Sequence, residues 1–455
     1  MIEIPGIIEP SVTRRRLLQM GIYGVLGSAL NQSQLSASNS KGNGPIRSCI
    51  VLMLYGGPSH LDTWDMKPDA PSEIRGEYHP IRTCIPGRVV CEHLPSCSQV
   101  MDKIAVIRSM HHEMVNHNKA VYEALVGRPH ETAETIPGPN RILDFPNPGS
   151  ILDHLKASGA LEGTKNPLTH VALPHVLQNL VDLPGQNAGF LGGRYDPLQI
   201  VNDPSLPDFR VPDFSLPREV SEDRRKDRLA LLESLDQGVR TAENSLAQHR
   251  KRALELLHDR NVQSAFRIDY EPARVRDRYG RHKLGQSLLL ARRLVESGVR
   301  FINVHDGVTN AQDTNWDSHR TIFPRHRELL PPFDQAFSAL IEDLDNRGLL
   351  ESTLVIAMGE FGRSPKINSQ AGRDHWPNCY SLALAGGGVE GGAVSGESDK
   401  IAAYPESNGV TPGDLAATVF WRFGVDPRHE IRDHLGRPFP IATGKPIREL
   451  FPGST

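Results

Sequence analysis

Two short stretches late in the chain hold its densest chemistry. Trp316-Asp317-Ser318-His319 and Gly372-Arg373-Asp374-His375-Trp376-Pro377 each set an aspartate close to a histidine among turn-forming residues. Carboxylate oxygens and neutral imidazole nitrogens are donors that zinc, manganese and iron accept. Between them runs Leu354-Val355-Ile356-Ala357-Met358, followed at once by Gly359-Glu360-Phe361-Gly362-Arg363. The glycines beside Glu360 allow a sharp turn and a close approach to a ligand. Arg363 or Arg373 could grip an anion through paired N–H groups. The positions of these residues suggest a metal-dependent site for a divalent ion, zinc or manganese, with Asp317, His319, Glu360, Asp374 and His375 as candidates. The plainer reading of the same residues is a helix-capping Asp317, a Glu360–Arg363 ion pair closing a turn, and a loop anchored by Trp376 and Pro377.

A second set follows the first apolar run. Tyr55-Gly56-Gly57-Pro58-Ser59-His60-Leu61-Asp62 is a tight polar turn in which His60 could move protons and Asp62 bind metal. Ser59 lacks the Gly-x-Ser-x-Gly elbow of a hydrolase nucleophile. His111, His112 and His117 crowd a later turn. Two histidines and a carboxylate also suit non-haem iron, but no cofactor motif accompanies them.

Elements must bring these loops together. The runs 49–54, 104–107, 299–304, 354–358 and 381–385 read as short buried strands. Residues 118–126, ending at Gly127, and 283–298 and 329–347, each with a glycine at its end, read as helices. Thr411-Pro412-Gly413-Asp414 opens a last helix. Leucines at helical spacing in 219–257 suggest an amphipathic hairpin, and 130–215 looks irregular. The alternation predicts an α/β fold with a mostly parallel, doubly wound sheet and helices on both faces. We expect a single domain over 49–455, with a loop-rich and helical insertion at about 130–280.

The N-terminus reads as an address. Thr13-Arg14-Arg15-Arg16-Leu17-Leu18 is a twin-arginine pattern, a short apolar stretch spans 20–30, and small residues near Ala37 offer a cleavage site. Segment 1–37 is therefore expected to be a twin-arginine signal peptide, 38–48 a linker, and the mature protein periplasmic or extracellular. Export permits disulfides, and Cys84, Cys91 and Cys97 are close enough for one local bridge. Without a CxxC pair, a thiolate zinc site is not expected. A net charge of -3 gives no reason to expect nucleic acid as partner. No apolar run is long enough for a membrane span in the mature chain.

The segments GGPSHLDTWDMKPDAP (56–71), IRSMHHEMVNHNKAVYEALVGRP (107–129), PGQNAGFLGGRYDP (184–197), NWDSH (315–319), GEFGRSPKIN (359–368) and GRDHWP (372–377) together resemble the domain-of-unknown-function family 1501. That family is placed in the alkaline phosphatase and sulfatase superfamily. The resemblance implies an alkaline phosphatase-like α/β core with a metal site at the strand ends. One metal would take Asp317, His319 and His375. The second-metal positions fall at Gly56-Gly57 and Glu360-Phe361, where the usual aspartate and Asp-His pair are missing, which puts the second ion in doubt or moves it to His60 and Asp62. The nucleophile position falls on His117, and no Cys-x-Pro-x-Arg signature is present, so a formylglycine mechanism is not expected. His117 is then a metal ligand, a general base or a nucleophile, in that order. The expected function is an exported metal-dependent hydrolase of phosphate or sulfate esters, acting on a small molecule or a polysaccharide. The alternative is a non-catalytic relative that binds a sulfated polysaccharide or a partner protein.

Overall fold

The computed structural model describes residues 46–130, 138–161, 166–211, 224, 259–307 and 315–452. Eight strands make one sheet: β1 (Ser48–Leu54), β2 (Ile104–Met110), β3 (His170–Leu173), β4 (Leu198–Gln199), β5 (Phe301–Asp306), β6 (Thr353–Met358), β7 (Tyr380–Ala385) and β8 (Val394–Ser395). Their order is β8-β2-β7-β6-β1-β5-β3-β4. Neighbours run parallel except β7, which is antiparallel to both β6 and β2. The fold is α/β with a mostly parallel sheet.

Strand β1 shows why the sheet carries helices on both faces. All seven of its residues are buried, and side chains alternate between faces with period two. Ile50, Leu52 and Leu54 join a core built with α3 (Lys283–Glu296) and α4 (Ile322–Asn346). Cys49, Val51 and Met53 join another built with α1 (His117–Val126), α2 (Pro148–Ala157) and α5 (Pro412–Arg422). Each large aliphatic side chain so buried contributes about 1.5–3 kcal/mol, so the unbroken apolar run anchors both layers.

Local chemistry sets the helix ends. Asn116 caps α1 by accepting from the Asn118 N–H, and Gly127 closes it with φ +76°. A Cβ at Gly127 would lie 2.3 Å from the Ala416 Cβ, so glycine there also lets α1 pack on α5. Thr411 and Asp414 form a capping box on α5.

Several boundaries differ from expectation. Helix α4 begins at Ile322 rather than 329 and absorbs Pro331 and Pro332. A proline deprives the carbonyl four residues back of its donor, and here those carbonyls belong to the outer, hydrated face of the helix. Strand β5 starts at Phe301, because the Val299 N–H bonds the Leu294 carbonyl to finish the α3 turn. The stretch 130–215 is not simply irregular, since it supplies α2, β3 and β4. Four residues in β3 and two in β4 are too few for sequence periodicity to register. All five cysteines are free; Cys91 and Cys97 are buried in the core and Cys84 is exposed, so the local bridge is not formed. No helix among the described residues is long and apolar enough to cross a membrane. The expected hairpin at 219–257 and the twin-arginine segment lie outside the described residues, apart from Arg224.

Candidate metal centre

The parallel strands β1, β2, β5 and β6 all end at one edge of the sheet. Antiparallel β7 begins at that same edge, so the loop before it delivers His375 there. A two-stranded ribbon, with Arg363 opposite His375, ties the chain after β6 to the chain before β7. Two glycines let the loops touch. A Cβ at Gly56, φ +111°, would sit 2.3 Å from the Asp317 nitrogen. A Cβ at Gly372 would sit 2.0 Å from the His319 carbonyl oxygen. Any side chain at either place would push two loops apart.

Three imidazoles converge on Asp317. His117 Nε2 is 3.3 Å from Asp317 Oδ2. His319 Nε2 and His375 Nε2 are each 3.2 Å from Oδ1 and 2.9 Å from one another. His117, Asp317 and His375 form one group whose donor atoms all lie within 4.8 Å of each other. His319 flanks this group through Asp317 and His375. Both His117 and the His319 of the Asp-x-His triplet therefore border Asp317, one at each carboxylate oxygen.

The far side of each ring fixes its tautomer. His117 Nδ1 lies 2.6 Å from Glu360 Oε1, His319 Nδ1 2.9 Å from Asp374 Oδ1, and His375 Nδ1 2.8 Å from the Val115 carbonyl. These partners only accept, so each Nδ1 carries the hydrogen and each Nε2 can offer a lone pair. Backing of ligand histidines by carboxylates and carbonyls is the outer-shell arrangement of metal sites. Ligand bonds of 2.0–2.1 Å in tetrahedral geometry place ligand atoms about 3.3 Å apart. The 3.2 Å edges from Asp317 Oδ1 to His319 and His375 fit, and the His319–His375 pair needs only a few tenths of an ångström of relaxation; His117 meets the other oxygen, Oδ2, at 3.3 Å. The residues present suit a divalent ion.

Burial opposes charge on His117, but the carboxylates of Asp317 and Glu360 outweigh it and raise its pKa to about 9. Without an ion, the same carboxylates favour the protonated form of His117, so a metal would take the place of its Nε2 proton. Burial likewise opposes ionisation of Asp317, yet His117, His319, His375 and Arg363 hold it far below the usual carboxylate range. A carboxylate so strongly favoured in its charged form is prepared to bind a cation.

The remaining candidates divide clearly. Glu360 is fully buried and accepts from the Gly56 N–H (3.0 and 3.1 Å) and from His117, so it positions rather than ligates. Asp374 is exposed and orients His319. Arg363 does not face a substrate: it is completely buried, and its nitrogens bond Gly57 O, Gly56 O, Arg373 O and, at 2.7 Å, Asp317 Oδ1. Arg373 is also buried; it donates to Asp62 and to the carbonyls of Ser364, Pro365 and Ile74. Asp62 is spent on Arg373 (2.8 Å) and the Ser59 hydroxyl (2.5 Å), which leaves it in a separate buried network. His60 is buried with Nε2 on the Ala402 carbonyl, and burial lowers its pKa, so it is a neutral core histidine outside the His117–Asp317–His375 group. His112 is a strut: Nε2 donates to the Glu360 carbonyl, Nδ1 accepts from Met114 N, and burial lowers its pKa to about 4. Sequence reasoning missed the backbone partners, Val115 O and Gly56 N–H, which no residue type announces.

A cleft of about 490 Å³ opens beside this region, walled by His111, His112, Glu113, Asn378, Tyr404 and Asn408. Asn378 is three residues past His375, within roughly 10 Å along an extended chain. Backbone strain gathers around the same loops. Among the described residues, the non-glycine positions with positive φ are Leu180, Thr321, Ala371, Ala402 and Asn408. Thr321 and Ala371 flank His319 and Gly372. Asn408 lines the cleft, and Ala402 accepts from His60. Leu180 follows Asn179, which bonds Asn118 beside His117. Each such residue costs on the order of 1–3 kcal/mol, and such strain clusters at functional sites.

The family described as "Protein of unknown function (DUF1501)" matches residues 46–451. The chain belongs to this family. No curated protein matches it. Solved structures it is similar to include the PsFucS1 sulfatase from Pseudoalteromonas sp., at 13% identity and TM-score 0.35 over 92% of this chain and 73% of that one. An alkaline phosphatase superfamily protein from Vibrio parahaemolyticus aligns at 11% identity and TM-score 0.35 over 91% and 76%. A phosphonate monoester hydrolase from Silicibacter pomeroyi aligns at 10% identity and TM-score 0.39 over 90% and 77%.

Proposed function

We propose that this member of the family is an exported metal-dependent hydrolase of sulfate or phosphate esters. The observation that carries the proposal is the convergence of three Nε2 atoms on Asp317 with each Nδ1 held by its own acceptor. His117, Asp317 and His375 would hold the ion, with His319 as a further ligand. A bound ion there supplies Lewis-acid charge and lowers the pKa of water.

The chain's own residues set the stage for that chemistry. Glu360 keeps the His117 proton on Nδ1, which makes His117 a ligand rather than a mobile base. The N-terminus of α1 begins at His117 and presents its positive dipole end to the centre, where an anionic group is favoured. The neighbouring cleft offers room for the rest of an ester, whether small molecule or saccharide. Export through the twin-arginine route, which carries folded proteins, would allow metal loading before secretion.

The test is a panel of sulfate monoesters and phosphate mono- and diesters, assayed with wild type and Asp317→Ala. Hydrolysis of at least one ester, abolished in the variant, is expected. Wild-type rates in Asp317→Ala would refute the mechanism. A second reading, a non-catalytic metal-stabilised binding protein, is favoured by one observation: His60 and Asp62 stay outside the centre. It would show bound metal and no turnover across the panel.

A further inference from the structure

Arg363 is a cation without a route to solvent. Its guanidinium lies among oxygens: the carbonyls of Gly56, Gly57, Trp316 and Arg373, and Oδ1 of Asp317. Four carbonyls and a carboxylate form the kind of cage that hard cations occupy. A buried guanidinium needs a carboxylate partner, and Asp317, at 2.7 Å, is the one described carboxylate within ion-pair distance. The same Oδ1 faces His319 and His375.

The nearby carboxylates are committed. Glu360 accepts from Gly56 N–H and His117. Asp374 accepts from His319 and Asn368. Asp62 is held by Arg373 and Ser59. A second divalent ion bridged by Asp317 would meet both a fixed positive charge and a shortage of ligands. Charge bookkeeping then bears on the substrate. With the three histidines neutral as ligands, the carboxylates of Asp317 and Glu360, the Arg363 guanidinium and one divalent ion leave a single positive charge, and the exposed Asp374 can only lower it.

We propose that Arg363 is a built-in cation that occupies the place of a second ion, so that the centre binds one divalent metal and selects esters bearing one negative charge. Sulfate monoesters and phosphodiesters share that chemistry. Phosphate monoesters, with close to two charges at neutral pH, are disfavoured. The substrate half of this inference rests on the hydrolase reading; the metal count does not.

Elemental mass spectrometry on the mature protein, loaded with excess zinc or manganese and then desalted, reads the count. About one equivalent is expected, and two would overturn the proposal. Arg363→Ala, which opens the oxygen cage, should take up an additional equivalent of calcium and regain melting temperature in its presence, while wild type does neither. Failure of a folded Arg363→Ala protein to bind calcium would show that the cage is not a cation site. Turnover is compared for 4-nitrophenyl sulfate, bis(4-nitrophenyl) phosphate and 4-nitrophenyl phosphate. At least one of the first two should exceed the third about tenfold or more in kcat/KM, and their order separates a sulfatase from a diesterase. Preference for 4-nitrophenyl phosphate would overturn the selectivity. One equivalent of metal with no turnover of any ester would sink the hydrolase reading and the substrate half, while the metal count stood.

Discussion

Replacing Glu360 by Gln removes a charge while nearly keeping a shape. In the native protein both carboxylate oxygens accept from the Gly56 N–H, at 3.0 and 3.1 Å, and Oε1 also accepts from His117 Nδ1 at 2.6 Å. A glutamine can keep its oxygen on His117 and Gly56, but its NH2 then points donor-to-donor at the Gly56 nitrogen. The loss has two parts. Weaker polarisation and looser aim of His117 should lower metal affinity about 10–100-fold, the usual effect of losing an outer-shell partner, which is about 1.4–2.7 kcal/mol. The strained amide contact should cost about 1–3 kcal/mol of stability. Metal affinity is read by competition with a chromophoric chelator, and circular dichroism confirms the fold. Glu360→Ala, which leaves His117 without a carboxylate, should be weaker still. An unchanged dissociation constant in a folded Glu360→Gln protein would refute the positioning role.

Other perturbations test separate links. Asp62→Ala strands Arg373 in the core, so it should destabilise by about 3–5 kcal/mol in chemical denaturation while the metal content of the folded fraction is unchanged. A metal content that fell would return Asp62 to the centre. Gly372→Ala puts a methyl 2.0 Å from the His319 carbonyl and should lower both melting temperature and metal affinity; a neutral result would mean that the loops are not in contact. Glu123 is raised to about 7 by burial and then by Glu113, and its Oε2 has no hydrogen-bond partner. A raised carboxyl gives stability that is fully present below its unfolded value, near 4.5, and is lost as pH climbs through 7. The loss is on the order of 3 kcal/mol at most, reduced by partial exposure. Glu123→Gln should therefore gain on wild type in thermal denaturation between pH 5 and pH 8, and parallel curves would contradict the assignment.

The sequence made the frame legible where burial is continuous. The runs 49–54 in β1 and 354–358 in β6 are wholly apolar, short and rich in Val and Ile, as a strand buried on both faces requires. Strand β7 was legible as a strand, but its direction was not, because direction is decided by distant hydrogen bonds to β2 and β6. That reversal brings His375 to the sheet edge where Asp317 lies. Asp317 and His375 were found by residue type and setting. His117 was found through the nucleophile position that the family resemblance implies and its place among three histidines, since its partner Glu360 is 243 residues away. His60 and Asp62 look like ligands in a strand-end turn, yet Arg373, 311 residues distant, neutralises Asp62. Short strands such as β3 and β4 hold too few residues for any pattern to rise above the loops around them.

The central claim is that His117, Asp317 and His375 hold a metal ion. The most direct measurement is elemental mass spectrometry of the mature protein, purified without chelator, beside folded Asp317→Ala and His117→Ala variants. About one equivalent of zinc, manganese or iron in the wild type, lost in both variants, is the expected result. No bound metal in the wild type even after loading, or metal undiminished in both variants, would contradict the account.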